Sequence, residues 1–247
     1  KDGKKMVELE DATAAVSIIF DKEMVDAELD DVVAVQAISS RNLLFGKQII
    51  YPDVPLRGPT TGFGKACFVG GLNINEAPRA DVEKFFSWFE EQHIQYLFCA
   101  GDVGDLYEFE RLVEKHCHNK TVFFIPGGKD TKEEYPQLPV QFNTDKIISL
   151  SNPSMVEVNG VNVLLIHKFV IDMLKKRYLG KTNVILDEDY LVLEGIPDIV
   201  CFGHSDKPHI ANYKSISIVN SGSMLADFRP IVVDLETREA QQIWLTK

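Results

Sequence analysis

Between Lys65 and Gly128 the chain repeats one pattern: a short apolar run, a glycine-rich stop, then a helix-length amphipathic segment. The runs are "ACFVGG", "IQYLFCAGD" and "TVFFIPGG", and "RADVEKFFSWFEEQH" and "LYEFERLVEKHCH" lie between them. Apolar runs of this kind, without polar alternation, suit strands covered on both faces. Strands joined through helices lie parallel, with right-handed crossovers. Their glycine stops therefore gather along one edge of the sheet, where ligands bind in such folds. In the first helical segment Val82, Phe85, Phe86 and Phe89 share a face that must be buried.

The rest of the chain has other rhythms. In "SMVEVNGVNVLLIH", "DIVCFGH", "SISIVNSGS" and "RPIVVDLETREAQQIWL" strand follows strand, with a turn signal at Asn159-Gly160. "FVIDMLKKRYLGK" predicts a helix between them. The class is α+β or mixed α/β, with one mixed sheet or two packed sheets flanked by helices. Residues 1–55 alternate apolar and polar positions, which predicts short antiparallel strands and a small OB-like β-barrel. These strands are too few to close a barrel, and the chain opens without Met, so a region ahead of Lys1 is expected. The stretch lacks the aromatic and basic interleaving of single-strand binding, which favours a structural or docking role. Residues 56–64, within the Pro- and Gly-rich "YPDVPLRGPTTGFG", form a linker or strap, and 65–247 form the second domain.

A net charge of −11 argues against a broad nucleic-acid footprint, so DNA contact would need positive charge from another subunit. The longest apolar runs are strand length, far short of the ~20 residues of a membrane helix, and no membrane partner is expected. Cys67, Cys99, Cys117 and Cys201 show no C-x-x-C spacing, and the pattern is that of reduced thiols in an intracellular protein, cytoplasmic or nucleoid-associated. "HCH" at 116–118 ends a helix, where adjacent side chains diverge and do not share one metal.

The residues just past the strand ends form a distinctive ordered set: Gly70-Gly71-Leu72-Asn73, Gly101-Asp102-Val103-Gly104-Asp105, Pro126-Gly127-Gly128-Lys129-Asp130, His167, Gly203-His204-Ser205-Asp206 and Asn220-Ser221-Gly222. The order resembles the calcineurin-like metallophosphoesterases, whose pattern is Asp-x-His, Gly-Asp-x-x-Asp, Gly-Asn-His-Asp, His, then Gly-His-x-His. More narrowly, "YPDVPLRGP", "SNPSMVEVNGVNVLLIH", "MLKKRYLGK" and "YLVLEGIPDIVCFGH" are similar to the small subunits of archaeal family D DNA polymerases. The resemblance covers nearly the whole chain and implies a phosphoesterase β-sandwich behind the OB-like segment.

The family holds two cations about 4 Å apart, which activate water and clamp a phosphate. By the resemblance, Gly71 and Asn73 stand where the first loop gives an Asp and a His to the first metal, and Asp206 where the last motif gives a His. Asp102 matches the bridging carboxylate. The second metal's set falls on Asp102, Gly128, His167 and His204, and Lys129 replaces the catalytic His. Two imidazoles and a carboxylate can hold one metal. Asp105 and Asp130 read as caps holding backbone amides. If Lys129 takes a cation's place, its ammonium is expected beside Asp102 or Asp206, and a surviving metal is expected on His167 and His204.

The favoured reading is a vestigial, metal-free site without catalytic residues. A single Zn, Mn or Fe ion on Asp102, His167 and His204, and an active nuclease, remain open. The resemblance implies a non-catalytic small subunit of a replicative DNA polymerase, a scaffold for the large catalytic subunit that meets DNA through the complex. The alternatives are a metal-dependent 3′–5′ exonuclease subunit and a free-standing inactive phosphoesterase-fold binding module.

Overall fold

The computed structural model describes residues 3–58 and 60–245. Pro59, within one of the stretches that carry the polymerase-subunit resemblance, and Lys1 lie outside the described residues. The chain divides into two compact units, one reaching Val54 and including Asp172–Tyr178, the other formed by Pro55–Ile171 and the residues from Leu179.

In the first unit β1 (Lys4–Glu10), β2 (Ala15–Asp21), β3 (Ala34–Ser40) and β4 (Leu43–Ile50) form one sheet in the order β1-β2-β4-β3. The β1–β2 turn is closed by Asp11, whose carboxylate accepts from Thr13 and Ala14. The β3–β4 hairpin turns on Arg41-Asn42, both at positive φ, as a tight two-residue turn requires. The expected all-antiparallel arrangement is corrected at the centre of the sheet. β2 and β4 run parallel, with Ile18 beside Leu44 and Ile19 beside Phe45. The acidic connection after β2 carries the chain across, so the second hairpin docks through β4 rather than β3. Phe20 then lies over Gly46, where a Cβ would come within 2.1 Å of its ring. That close approach buries Ile18 and Phe20.

The second unit is a two-sheet sandwich. β5 (Lys65–Val69), β6 (Tyr96–Ala100), β7 (Thr121–Ile125) and β8 (Ile147–Ser149) form a parallel ladder, with α1 (Arg79–Glu91) and α2 (Leu106–His116) in its first two crossovers and irregular chain in the third. β9 (Ser154–Val158), β10 (Val161–Ile166), β11 (Ile199–Phe202), β12 (Pro208–Tyr213) and β13 (Ile216–Ser221) form a second sheet in the order β12-β13-β11-β10-β9. β14 (Ile231–Asp234) pairs antiparallel with β5, and β15 (Ala240–Gln242) antiparallel with β14, so the first sheet reads β15-β14-β5-β6-β7-β8. Alternate side chains of each parallel strand enter different cores. Phe68, Phe98 and Phe123 stack in a row at 4.9 Å spacing within the layer between the sheets, with Val163, Leu165 and Cys201. Cys67, Val69, Leu97 and Phe124 turn the other way, onto Phe85, Phe86, Phe89 and Phe109 of the helices. Burial on both faces is why these strands carry no polar alternation.

The helix predicted in "FVIDMLKKRYLGK" is only α3 (Asp172–Lys176). Arg177 takes a left-handed conformation (φ 50°), and the Tyr178 amide donates to Met173 O at 3.0 Å, which terminates the helix. α3 belongs to the first unit, where Lys175 O accepts from the Asp53 amide and Lys176 pairs with Asp31. Residues 55–58 and 60–63, by contrast, strap the second unit. Arg57 donates to Ile196 O at 2.8 Å and pairs with buried Asp198 at 2.7 Å. Thr60 donates to the same carboxylate, and Arg238 donates to Thr60 O. Gly62 passes so close to Val161 and Leu235 that a Cβ would lie 2.4 Å from a Val161 methyl.

All four cysteines are buried as free thiols, and burial pushes their pKa values up. Among the described residues no helix is long and apolar enough to cross a membrane. His116 is set between Glu90 and Glu83 rather than with its neighbours Cys117 and His118.

Candidate functional site

The loops after β5, β6, β7, β10, β11 and β13 meet at one end of the sandwich around a cleft of about 470 Å³. Gly71, Asn73, Asp102, Gly128, Lys129, His167, His204 and Asp206 all line it. Asp105 and Asp130 do not. Asp105 caps α2, accepting from the Glu108 amide at 3.0 Å. Asp130 lies beneath the loops and accepts from the amides of Asp102 (2.7 Å), Gly104 (2.9 Å) and Gly127 (2.8 Å), which locks the β6 loop to the β7 loop. Burial pushes its carboxyl above the ordinary range, while these backbone bonds pull the other way.

Asp102, His167 and His204 converge, each offering one ligand atom within 4.8 Å of the others. Asp102 is buried at positive φ, and its Oδ1 accepts from the Lys129 amide at 2.9 Å. His167 is buried at the end of β10. Its Nδ1 lies 3.3 Å from Ala100 O, and its Nε2 lies 3.4 Å from Asp102 Oδ2. The rings of His167 and His204 sit edge to face at 5.3 Å.

The surroundings of His167 test whether a cation fits. A neutral imidazole has one N–H and one lone pair. With the proton on Nδ1, it donates to Ala100 O and leaves the Nε2 lone pair facing a carboxylate oxygen. With the proton on Nε2, the Nδ1 lone pair faces a carbonyl. Each neutral tautomer opposes two acceptors. Protonating both nitrogens would satisfy both, but burial, the largest influence, holds His167 below its ordinary pKa. A cation between Nε2 and Oδ2 removes the conflict, with the Ala100 carbonyl orienting the ring from behind. Three glycines leave room for the ring: a Cβ on Gly101, Gly127 or Gly203 would come within 2.9 Å of it. The donor set fits one divalent cation.

The first-metal half does not fit. Gly71 has no donor, and its backbone is engaged with Gly101 O and Met224 N. The Asn73 amide nitrogen donates to Gly71 O at 2.7 Å and Ser223 Oγ at 3.1 Å, while its buried Oδ1 has no partner among the described residues. Asp206 is exposed across the cleft.

The expected position of the Lys129 ammonium is corrected. It pairs with Glu76 at 2.6 Å, on the turn after Asn73, and only the Lys129 backbone amide reaches Asp102. Glu76 is the residue that motif reading missed. Its only signal was a lone acid a few positions beyond the β5 end. Lys168, Ser223 and Leu225 also line the cleft without a motif to mark them.

Residues 78–237, well over half of the chain, match the calcineurin-like phosphoesterase superfamily domain. The chain belongs to the calcineurin-like phosphoesterase superfamily. Its fold is similar to that of a solved archaeal phosphodiesterase, with a TM-score of 0.51 at 15% identity, covering 72% of this chain and 98% of that one. Among curated proteins it is 24% identical to the DNA polymerase II small subunit of Methanothermobacter thermautotrophicus, covering 90% of this chain and 62% of that protein. It is 26% identical to the DNA polymerase II small subunit of Pyrococcus horikoshii, covering 89% of this chain and 48% of that protein. The chain thus spans about half to three fifths of the length of these relatives. As a calcineurin-like phosphoesterase it has the loops of a two-metal site and the donors of one.

Proposed function

We propose that the chain is part of a non-catalytic small subunit of a replicative DNA polymerase of the archaeal family D type, a phosphoesterase fold serving as scaffold for the large catalytic subunit. The observation that carries this reading is the disabled first-metal half, Gly71 and Asn73, in a sandwich that is otherwise fully built. A two-metal phosphoesterase needs both cations to clamp attacking and leaving oxygens. The names of its curated relatives supply the partner, and the net charge of −11 suits contact with DNA through that partner rather than directly. The sheet of the first unit, antiparallel pairs flanking a parallel one, supports reading it as part of an OB-like barrel with a docking role. The protein would work inside the cell at the nucleoid, in keeping with four buried free thiols.

The one-cation alternative gains weight from the geometry of His167 and from the turning of Lys129 toward Glu76. In this reading Asp102, His167 and His204 hold a single Zn, Mn or Fe ion. Such an ion would supply positive charge for a phosphate oxygen, without a partner metal to complete hydrolysis.

Two measurements test the proposal. Co-expression with the large polymerase subunit of the same source should yield a stable complex on size exclusion, and separate elution of the two chains overturns the scaffold reading. Purified chain with Mn²⁺ should leave labelled single-stranded DNA intact. Cleavage that disappears in Asp102→Asn would establish the exonuclease alternative instead.

A further inference from the structure

We propose that Glu76 strengthens cation binding at the Asp102–His167–His204 set, by keeping the Lys129 ammonium out of it. This rests on the one-cation reading above.

Lys129 is rooted at the site, because its amide donates to Asp102 Oδ1 at 2.9 Å. A lysine side chain starting there has two kinds of carboxylate to choose from: Asp102 and Asp206, which line the cavity with it, and Glu76, which does not line it. Its ammonium takes Glu76, at 2.6 Å. Glu76 is placed for this by its own loop. The tight turn that begins at Asn73 brings the Glu76 amide to Asn73 O at 2.9 Å, and the Asn73 amide is tied to Asp102 O at 2.9 Å. The β5 loop therefore presents a carboxylate to the lysine of the β7 loop, while Asp102 Oδ2 is left to face His167.

The pair is half exposed, with Lys129 at 39% and Glu76 at 49% side-chain exposure. Exposed pairs of this kind are held weakly, so a change at Glu76 suffices to release the ammonium. A released ammonium has Asp102 as a nearby buried counter-charge. There it competes directly with a divalent cation for the same carboxylate and repels it. Glu76 is thus a positioning residue: it ligates nothing and acts through Lys129.

The test is Mn²⁺ titration calorimetry of the full chain after chelation and dialysis, with the thermal unfolding shift on Mn²⁺ addition as a second readout. Wild type is expected to bind one equivalent, and Glu76→Gln to bind about two- to fivefold more weakly, the range that the strength of an exposed pair allows. Glu76→Gln/Lys129→Met is expected to recover wild-type affinity, because the competing charge is gone. Lys129→Met alone separates this role from plain charge effects: with Glu76 in place the ammonium is already outside the set, so affinity should stay at the wild-type value, whereas additive charge effects would raise it as much as the second substitution raises Glu76→Gln. Equal affinity in wild type and Glu76→Gln, or no recovery in the double variant, overturns the Glu76 role and leaves the one-cation reading standing. No Mn²⁺ binding by wild type overturns both.

Discussion

Gly127 and Gly128 are neighbours with opposite demands. A Cβ on Gly127 would lie 2.6 Å from the Asp102 amide nitrogen and 2.7 Å from its carboxylate, whereas one on Gly128 would meet nothing within 4 Å. Gly127→Ala should therefore destabilise the protein by about 1–3 kcal/mol, as overpacking does, and displace Asp102. Gly128→Asn should leave the unfolding midpoint in urea unchanged. It would also restore the amide found at this place in the family pattern and raise Mn²⁺ affinity several-fold by calorimetry. Unchanged affinity would mean that position 128 does not face the cation. At this scale the motif order placed Gly71, Asn73, Gly128 and Lys129 on the cleft wall, because each comes after a strand whose end is fixed by the sheet. The direction of the Lys129 ammonium was not legible. Its partner lies 53 residues away on a different loop, and no spacing rule connects two loop tips.

Elements obey more local rules, and their exceptions have local causes. α2 opens on Asp105, whose carboxylate satisfies an otherwise unpaired amide. Asp105→Ala should cost about 1 kcal/mol in chemical denaturation, without changing Mn²⁺ binding. At the other end of α2, His116 joins Glu90 and Glu83 of α1. Lys115 and then His116 hold the Glu83 carboxyl below the usual glutamate range, and His116 does the same for Glu90. Depressed carboxyls contribute stability that is present above their ordinary value and lost as pH falls through the depressed one. Stability measured in urea should therefore decline below the ordinary glutamate range, and His116→Gln should flatten that decline. α1, α2 and the strands they join were legible because one periodicity governed each. α3 was not, since its stop lies in the backbone conformation of Arg177 rather than in a glycine or proline. The parallel pairing of β2 and β4 was also hidden, because alternation reports which face a residue takes and not which strand lies beside it.

For the second unit as a whole, the strap through Arg57, Thr60 and Gly62 ties chain that precedes β5 to the far sheet. Asp198 is its anchor, accepting from Arg57, Thr60 and the Asn162 amide while itself buried. Removing one partner of such a pair leaves the other uncompensated, so Asp198→Ala should cost about 3 kcal/mol in urea unfolding and expose the strap to limited proteolysis. Loss of stability without new cleavage near residue 57 would show that the strap is held by its packing at Gly62 instead. The sandwich itself came from the resemblance to the phosphoesterases: the continuous apolar runs told that both strand faces are covered, and left one mixed sheet or two packed sheets open. The strap could not, as proline and glycine announce irregular backbone without saying where it lies.

The glycines around His167 set how this molecule can change over generations. Gly128, His204 and Asp206 sit on the exposed rim, where one substitution removes or restores a donor without moving the backbone. The hollow beneath is different: Gly101, Gly127 and Gly203 come from three separate strand ends, each without room for a methyl group. Filling it would mean prising those ends apart. A lineage that stops needing hydrolysis can therefore shed the reaction quickly and the hollow hardly at all. On the non-catalytic reading proposed above, the fold would keep the hollow as a mould to which donors, and with them chemistry, could be returned.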